Sequence, residues 1–353
     1  MNICIVGQYP PQVGGIATYT CALRDKLESL GHNVFVVTYP SDSVRDGNVF
    51  GAWIINFPVL RALTFIVSSY LILRRLTRSY DLDVIHAHYL LPQALVTTFI
   101  KSNTGARIVA TAHGSDINIL AQNNLMKPLV KYTLNSLDEI YFVSQNLKDK
   151  ASILGVKNFD EKSYITPNTV DTDKYTPEQQ NKDLKQKYKN EIVIFLGNLV
   201  EQKGIKYLLE AKKLSKRDYT LLIYGDGPLK AQIQEYIQEN NIKDTHLMGK
   251  TTQAQQIIPQ ADIMVIPSIS EGASIVALES MSCARPLIST DTGNIRDVIT
   301  DNHDGLIVPP RNPEKLCQSI TYLLENPEKR VEMGLNARQT IIEKYSNMKI
   351  PYI

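Results

Sequence analysis

The sequence is poor in the residues that build covalent crosslinks and metal sites. Its 353 residues include four cysteines and one tryptophan. No two of the cysteines (Cys4, Cys21, Cys283 and Cys317) have C-x-x-C spacing, and each stands in an apolar run. This pattern predicts buried free thiols in a reducing compartment, the cytoplasm, and argues against a disulfide framework or a cysteine zinc site.

The sequence has no strong net charge, and neither a leader nor a membrane-spanning run is expected from it. A formal net charge of +2 gives no reason to expect a nucleic-acid partner. The start, MNICIVG, has no basic region before its apolar residues and is not expected to be a secretory signal. The best membrane candidate, residues 59–78, has an uninterrupted apolar part only at 62–73, too short to span a bilayer.

That apolar stretch has a basic flank. Residues 45–80 contain five arginines, among them Arg61, Arg74, Arg75 and Arg78, and a single acid, Asp46. A helix of this composition could lie on an anionic membrane surface, at the inner face of the cell membrane. A buried helix with solvated ends fits the same residues equally well, so both interpretations stay open.

Short apolar runs alternate with longer amphipathic segments along the chain. Strands are expected at 2–7, 33–40, 82–88, 107–114, 139–144, 191–199, 219–227, 246–249, 262–268, 285–290 and 305–310. Helices are expected at about 16–30, 203–215, 228–240, 252–260, 275–283 and 313–325. Strands separated by helices in this way predict parallel α/β sheets. A polar stretch at 166–190 predicts a connection between two doubly wound, Rossmann-like domains, with the ligand site in the cleft between them.

Three of the expected strand ends carry candidate binding residues. Gly14 and Gly15 follow the first strand and open a helix, where free N–H groups attract an anion, although the spacing is not that of G-x-G-x-x-G. Lys203 heads another helix and could neutralise a phosphate there. His113 and Asp116 follow the strand at 107–114 and suit a hydroxyl-rich ligand. His86 and His88 share a strand face, but no third ligand is evident, which argues against a metal site.

The stretch SISEGASIVALESMS places two glutamates eight residues apart. Glu271 lies in the loop after the strand at 262–268 and can accept hydrogen bonds from sugar hydroxyls. Glu279 lies in the helix that follows and can reach a vicinal diol such as ribose. The N–H groups at 274–276 are expected to be available to a diphosphate.

Together these motifs resemble the retaining glycosyltransferases of the GT-B fold, in the family 4 group with the E-x7-E motif. The resemblance covers about 330 residues, in order, and includes PPQVGGIATYT, IVATAHGSDI, ITPNTVDTDKYTP, LGNLVEQKG, YGDGPL and LESM. It implies two Rossmann-like domains that face each other across a cleft. It also implies transfer of a hexosyl unit from a nucleoside diphosphate sugar to a glycan or lipid-linked acceptor, with uridine favoured over guanosine as the nucleoside.

The resemblance assigns a role to each candidate residue. The donor phosphates would meet Gly14, Gly15, Lys203, Ser274, Ile275 and Val276. The transferred sugar would meet His113, Asp116, Glu271, Gly272 and Ala273, the ribose would meet Glu279, and the base would meet Gly249, Lys250 and Thr251. Catalysis would rest on Glu271, His113 and Lys203, without a metal or other cofactor.

The chain departs from the family pattern at some of these positions. Asn198 stands where the family usually has an arginine, so one positive charge on the diphosphate is missing, and Ser274 replaces a glycine. Two alternatives therefore stay open: a catalytically silent nucleotide-sugar-binding partner of an active transferase, and a GT-B nucleotide-sugar epimerase.

The expected domains are 1–168 on the acceptor side, 169–336 for the nucleotide-sugar, and a segment at 337–353 that returns to the first domain.

Overall fold

The computed structural model describes residues 1–12, 14–40, 47–178, 183–350 and 352–353. Val13, Arg45, Asp46 and part of the polar stretch, residues 179–182, were singled out in the sequence and lie outside this range. The chain divides into two units, Met1–Pro167 together with Ile350–Ile353, and Asn168–Lys349. The segment predicted at 337–353 is not a separate element, because a helix at Pro327–Lys344 runs through its first half.

Unit 1 is built on a parallel sheet of seven strands in the order β3-β2-β1-β4-β5-β6-β7. The strands are β1 (Asn2–Val6), β2 (Asn33–Thr38), β3 (Val49–Gly51), β4 (Val84–His88), β5 (Arg107–Ala112), β6 (Glu139–Phe142) and β7 (Ser163–Ile165). The helices are α1 (Gly15–Ser29), α2 (Pro58–Ser79), α3 (Leu95–Ile100), α4 (Ser115–Asn118), α5 (Lys127–Ser136), α6 (Gln145–Ser152) and α7 (Phe159–Lys162). The sequence predicted five of these strands and missed β3 and β7.

Unit 2 has a parallel sheet of six strands in the order β10-β9-β8-β11-β12-β13. The strands are β8 (Ile192–Leu196), β9 (Thr220–Tyr224), β10 (Thr245–Gly249), β11 (Ile263–Ile266), β12 (Leu287–Thr290) and β13 (Leu306–Val308). The helices are α8 (Asp183–Lys187), α9 (Ile205–Leu214), α10 (Lys230–Glu239), α11 (Ala254–Ile257), α12 (Ile275–Ser282), α13 (Ile295–Val298), α14 (Pro313–Glu325) and α15 (Pro327–Lys344). The prediction of two doubly wound α/β domains is confirmed.

The central strands of unit 2, β8 and β11, are apolar throughout because the core covers both faces of the sheet. In β8, Ile192 and Ile194 pack into the core on one face, and Val193 and Phe195 pack into the core on the other. Burial on both faces explains the continuous apolar runs that made these strands readable in the sequence.

Each sheet has a point where the order of its strands reverses direction. In unit 1 this point lies between β1 and β4, and in unit 2 it lies between β8 and β11. Loops that leave neighbouring strands at such a point diverge and form a crevice, which is the usual ligand site of open α/β sheets. The crevices are therefore bordered by the loops after β1 and β4 in unit 1, and after β8 and β11 in unit 2.

Two composition-based expectations can be compared with the structure. Cys4 and Cys283 are buried as predicted, whereas Cys21 and Cys317 are partly exposed. None of the helices in the described part of the chain combines the length and hydrophobicity needed to cross a membrane.

Candidate active site

The crevice of unit 2 brings Lys203 and Glu271 together. Lys203 ends a short 3-10 turn after β8, and Glu271 lies in the loop after β11, 68 residues later. The Nζ of Lys203 donates a hydrogen bond to Oε1 of Glu271, and the two side chains form a salt bridge. The Oγ of Ser268 donates to the same carboxylate oxygen at 2.8 Å. Both charged side chains are largely shielded, with 27% of Lys203 and 13% of Glu271 exposed.

The backbone fixes the two loops against each other. The N–H of Ile269 donates to the carbonyl of Gln202 at 2.7 Å. Gly204 has φ +64°, and a Cβ there would lie 2.0 Å from the carbonyl oxygen of Pro267, so no larger residue fits. On the far side, Oγ1 of Thr290 donates to the carbonyl of Ser268 at 2.5 Å. The loops that carry Lys203 and Glu271 are therefore fixed by backbone contacts to each other and by the side chain of Thr290.

Helix α12 begins directly after this pair. Gly272 and Ala273 form the loop, Ser274 is the N-cap, and Ile275 and Val276 are the first helical residues. These residues are partly exposed, whereas the helix is buried from Ala277 onward. The first N–H groups of a helix have no partner within it and carry a partial positive charge. An anion could therefore bind at this end, beside Lys203.

Glu279 lies two turns into α12 and is only 5% exposed. Burial raises the pKa of its carboxyl group to about 7, and a hydrogen bond from the hydroxyl of Tyr175 opposes this rise. Tyr175 was not singled out in the sequence, although it belongs to the quoted segment ITPNTVDTDKYTP. The pair is a polar site within otherwise apolar packing.

The three residues expected at the base lie at the end of β10. The carbonyl of Gly249 accepts a hydrogen bond from the N–H of Gly225 at 2.8 Å, which aligns this strand end with that of β9. Oγ1 of Thr251 accepts from the N–H of Gln253 at 3.0 Å. Lys250 is exposed.

In unit 1, Asp116 shapes the turn that presents His113. Its carboxylate accepts hydrogen bonds from the N–H groups of His113, Gly114 and Ile117 at 3.1, 2.8 and 3.1 Å. The side chain is fully buried, and burial raises its pKa to about 6 although these N–H donors lower it. Asp116 was predicted to contact the sugar, and in the structure its hydrogen bonds serve the backbone of the turn.

His113 is hydrogen bonded to a second histidine. Its Nε2 lies 3.0 Å from Nδ1 of His88, at the end of β4. Burial lowers the pKa of His113 to about 4 and the pKa of His88 well below its ordinary value, with His86 and His113 adding to the effect on His88. Both rings are therefore neutral at pH 7, and one N–H is shared between them. His88 was noted in the sequence, where no role was predicted for it.

Helix α1 connects the glycine loop with these histidines. Gly14 is the N-cap and Gly15 the first residue of α1. One turn further on, the ring of Tyr19 packs against His88 and His113, with ring centroids 5.4 and 5.6 Å apart. Among the described residues, no group of three or more His, Cys, Asp or Glu side chains is arranged to hold a metal ion.

Two family models match the chain, one for each half. The Glycosyltransferase Family 4 model matches residues 13–174, and the Glycosyl transferases group 1 model matches residues 177–340. An uncharacterized glycosyltransferase of Methanocaldococcus jannaschii, MJ1178, is 28% identical over 96% of this chain and 93% of its own length. The N-acetyl-alpha-D-glucosaminyl L-malate synthase of Bacillus anthracis is 26% identical over 96% of this chain and 92% of that protein.

Solved structures share the fold over nearly the whole chain. Sucrose-phosphate synthase of Thermosynechococcus elongatus has a TM-score of 0.87 at 19% identity, covering 98% of this chain and 94% of that one. Anabaena HepE in complex with UDP has a TM-score of 0.80 at 16% identity, covering 98% of this chain and 96% of that one. The family models and the shared architecture agree, and the chain is a family 4-like glycosyltransferase of the GT-B fold.

Proposed function

We propose that this protein transfers a hexosyl unit from a nucleoside diphosphate sugar to a hydroxyl group of an acceptor, with retention of anomeric configuration. The bond between the anomeric carbon and the diphosphate breaks, and the acceptor oxygen bonds to the same face of that carbon. The nucleoside diphosphate leaves with the electron pair of the broken bond and takes up the proton that the acceptor hydroxyl releases. The observation that carries this proposal is the contact of Lys203 with Glu271 beside the start of α12.

Lys203 and Glu271 suit the two ends of the bond that breaks. An ammonium group has three donor protons, so Lys203 can keep its bond to Glu271 and also donate to a diphosphate. A carboxylate has about four acceptor positions, so Glu271 can accept sugar hydroxyls in addition to Lys203 and Ser268. Negative charge that develops on the leaving diphosphate is then met by a lysine already held in place.

The remaining predicted residues extend the donor site. The N–H groups of Ile275 and Val276 would bind the diphosphate, and Glu279 would hold the ribose. The base would lie by Gly249, Lys250 and Thr251. The UDP complex of HepE, a protein of the same fold, supports a uridine nucleotide as the first to test.

In unit 1, the neutral imidazole of His113 would bond a hydroxyl of the transferred sugar, and Gly14 and Gly15 would approach the donor phosphates. We propose that no divalent metal is required, because Lys203 and the helix end supply the positive charge that a cation would supply. The acceptor is a glycan or a lipid-linked sugar, reached on the cytoplasmic side of the membrane.

The experiment combines donor binding with product analysis. The purified protein is titrated with UDP, GDP, ADP and dTDP in chelator, and then incubated with UDP-hexoses and candidate glycan or lipid-linked acceptors. We expect one nucleotide to bind without metal. We also expect the new glycosidic linkage of the product to have the same anomeric configuration as the sugar in the donor. Lys203→Met should lower kcat at least about 100-fold, as loss of a preorganised group does. Lys206→Met, with 72% of the side chain exposed on the next helix, is the matched control.

Other outcomes would favour the alternatives. Release of an epimerised sugar without acceptor would indicate an epimerase. Tight nucleotide binding without turnover, and turnover restored by Asn198→Arg, would indicate a silent partner. An unaltered kcat in both Lys203→Met and Glu271→Gln would show that the reaction occurs elsewhere.

A further inference from the structure

Helix α2 has two apolar faces, and only one of them is packed against the protein. On the packed face, the side chains of Phe65, Leu73 and Leu76 are buried. Four residues on the other side, Leu60, Leu63, Val67 and Leu71, are exposed by 42%, 53%, 62% and 59%. Spacings of three and four residues place these four on a single face over about three turns. An amphipathic helix that served only the core would have polar residues there.

The segment before the helix enlarges this surface. Trp53 and Phe57 are each 63% exposed. The N–H of Trp53 donates to Oγ of Ser68 at 2.6 Å, and the N–H of Ile55 donates to Oγ1 of Thr64 at 3.0 Å. These bonds hold the segment alongside the first turns of α2, in the opposite direction. The α2 patch is Trp53, Phe57, Leu60, Leu63, Val67 and Leu71.

Positive charge borders the patch. Arg74 and Arg78 continue the same helix face beyond Leu71, and Arg75 is also exposed. Arg61, near the start of the helix, is exposed too, with its guanidinium 5.3 Å from the ring centroid of Tyr39. Residues 47–80 contain no aspartate or glutamate. Within the described part of the chain, Arg74, Arg75 and Arg78 form no salt bridge.

We propose that the α2 patch docks on the surface of an anionic lipid bilayer. Its apolar side chains would enter the boundary between headgroups and acyl chains, and the four arginines would bind lipid phosphates. A contiguous exposed apolar patch marks an interaction surface. An exposed tryptophan, an apolar stripe and basic residues without acids are the combination that suits an anionic interface, where the helix lies in the membrane plane. The inference adds a docking surface to the proposed reaction, and it is tested without donor or acceptor.

The single tryptophan of the chain makes the test direct. Trp53 is the only tryptophan, so all indole emission comes from the patch itself. The full-length protein is mixed with vesicles of phosphatidylcholine alone, or of phosphatidylcholine with phosphatidylglycerol. With anionic vesicles we expect co-sedimentation and a blue shift of the emission, quenched by brominated acyl chains. Added salt should weaken the binding, because it screens the arginines.

Variants separate the apolar and basic contributions. Leu63→Ser with Val67→Ser should abolish the blue shift and most of the binding. Arg74→Gln with Arg78→Gln should weaken binding to anionic vesicles about 25-fold, from about fivefold for each arginine. The controls are exposed positions elsewhere in unit 1: Leu125→Ser with Ile153→Ser, exposed by 80% and 78%, and Lys127→Gln with Lys157→Gln. All variants should keep the wild-type circular dichroism spectrum.

Three results would overturn the proposal. The first is absence of binding to anionic vesicles at low salt. The second is binding that leaves the Trp53 emission unchanged and is equal in wild type and patch variants, which would assign the membrane contact to another surface. The third is a dimer in sedimentation experiments that the Leu63/Val67 variant dissociates, which would make the patch a self-association surface. If vesicles bind as expected while no sugar is transferred, the docking surface stands and the proposed reaction fails.

Discussion

At the scale of single residues, Glu279 is a carboxyl group placed where charge is costly. Its pKa of about 7 in the folded chain lies above the ordinary 4.5, chiefly because of burial. The folded state therefore holds the proton more tightly than the unfolded chain does. Protonated Glu279 therefore contributes to the free energy of unfolding. This contribution is fully present below about pH 4.5 and is lost as the pH rises through about 7.

Replacing Glu279 by glutamine should remove this dependence. We expect the stability of the variant relative to wild type to increase between pH 5 and pH 8, by up to about 1.4 kcal/mol per pH unit. Urea unfolding at several pH values, without nucleotide, measures the difference. Glu314→Gln, at an exposed position in the same unit, is the control for loss of a carboxyl group. A difference between Glu279→Gln and wild type that is constant with pH would contradict the shifted pKa.

His113 allows the sugar contact to be tested apart from nucleotide binding. His113→Ala should lower kcat/KM for the sugar donor about 100-fold, through loss of a hydrogen bond made during the reaction. It should leave the Kd for the free nucleoside diphosphate unchanged. Because the pKa of His113 is about 4, the wild-type rate should show no titration of this group above about pH 5. An equal loss of donor and nucleotide affinity would contradict the assignment.

Residue types and their order indicated candidate side chains but not what those side chains touch. Glu271 and Lys203 could be selected because each follows an apolar strand. Their salt bridge depends on β8 and β11 being neighbours, which no local pattern encodes. The same holds for His88 with His113 and for Tyr175 with Glu279. Asp116 shows the opposite case. Its partners are nearby backbone N–H groups, and Asp side chains in turns often bond to the adjacent backbone.

At the scale of elements, the loop before α9 depends on one glycine. An alanine at position 204 would force a Cβ into the carbonyl of Pro267, 2.0 Å away, with φ at +64°. We expect Gly204→Ala to destabilise unit 2 by about 3 kcal/mol or more, above the 1–2 kcal/mol of left-handed backbone alone. Gly249→Ala, with φ +77° and no atom within 4 Å, should cost only that smaller amount. Denaturant unfolding measures both, and equal losses would show that the contact with Pro267 can relax.

Helices and strands could be predicted where burial imposes a periodic spacing of apolar residues or a continuous apolar run. The central strands and α14, predicted at 313–325 and observed at Pro313–Glu325, are of this kind. Strands β3 and β7 have three residues each, too few to show a pattern. Helix α15 was missed because its sequence, PEKRVEMGLNARQTIIEK, is charged over much of its surface and buries only a narrow strip. The exposed face of α2 could not be told from a buried one, because both are apolar.

At the scale of the whole molecule, the last described residues of the chain belong to unit 1, the same unit as the first residues. The hydroxyl of Tyr352 lies 3.0 Å from Nδ1 of His86, 266 residues earlier in the chain, and both side chains are buried. Nε2 of His86 is hydrogen bonded to Oγ1 of Thr111 at 2.8 Å. A buried side-chain contact of unit 1 is thus made by a residue that is synthesised after all of unit 2.

Tyr352→Phe should destabilise unit 1 and leave unit 2 unchanged. Loss of the hydroxyl leaves a buried ring nitrogen without its partner, at a cost of about 1–3 kcal/mol. Hydrogen exchange should quicken in β4 and β5 but not in β8 or β11. Tyr132→Phe, half exposed in the same unit, is the control. Equal acceleration in both units would show that they unfold together.

The Lys203–Glu271 salt bridge has a consequence for which ligands would bind beside it. A lysine that already has a carboxylate counterion attracts a passing anion less strongly than a lysine without one. Inorganic phosphate that approached Lys203 would bring its negative charge close to Glu271 and would be repelled by it. A molecule that carries hydroxyl groups beside its phosphate gives hydrogen bonds to Glu271 while it accepts them from Lys203. In the proposed reaction, the pair would therefore discriminate against free phosphate and favour ligands in which phosphate and sugar arrive together.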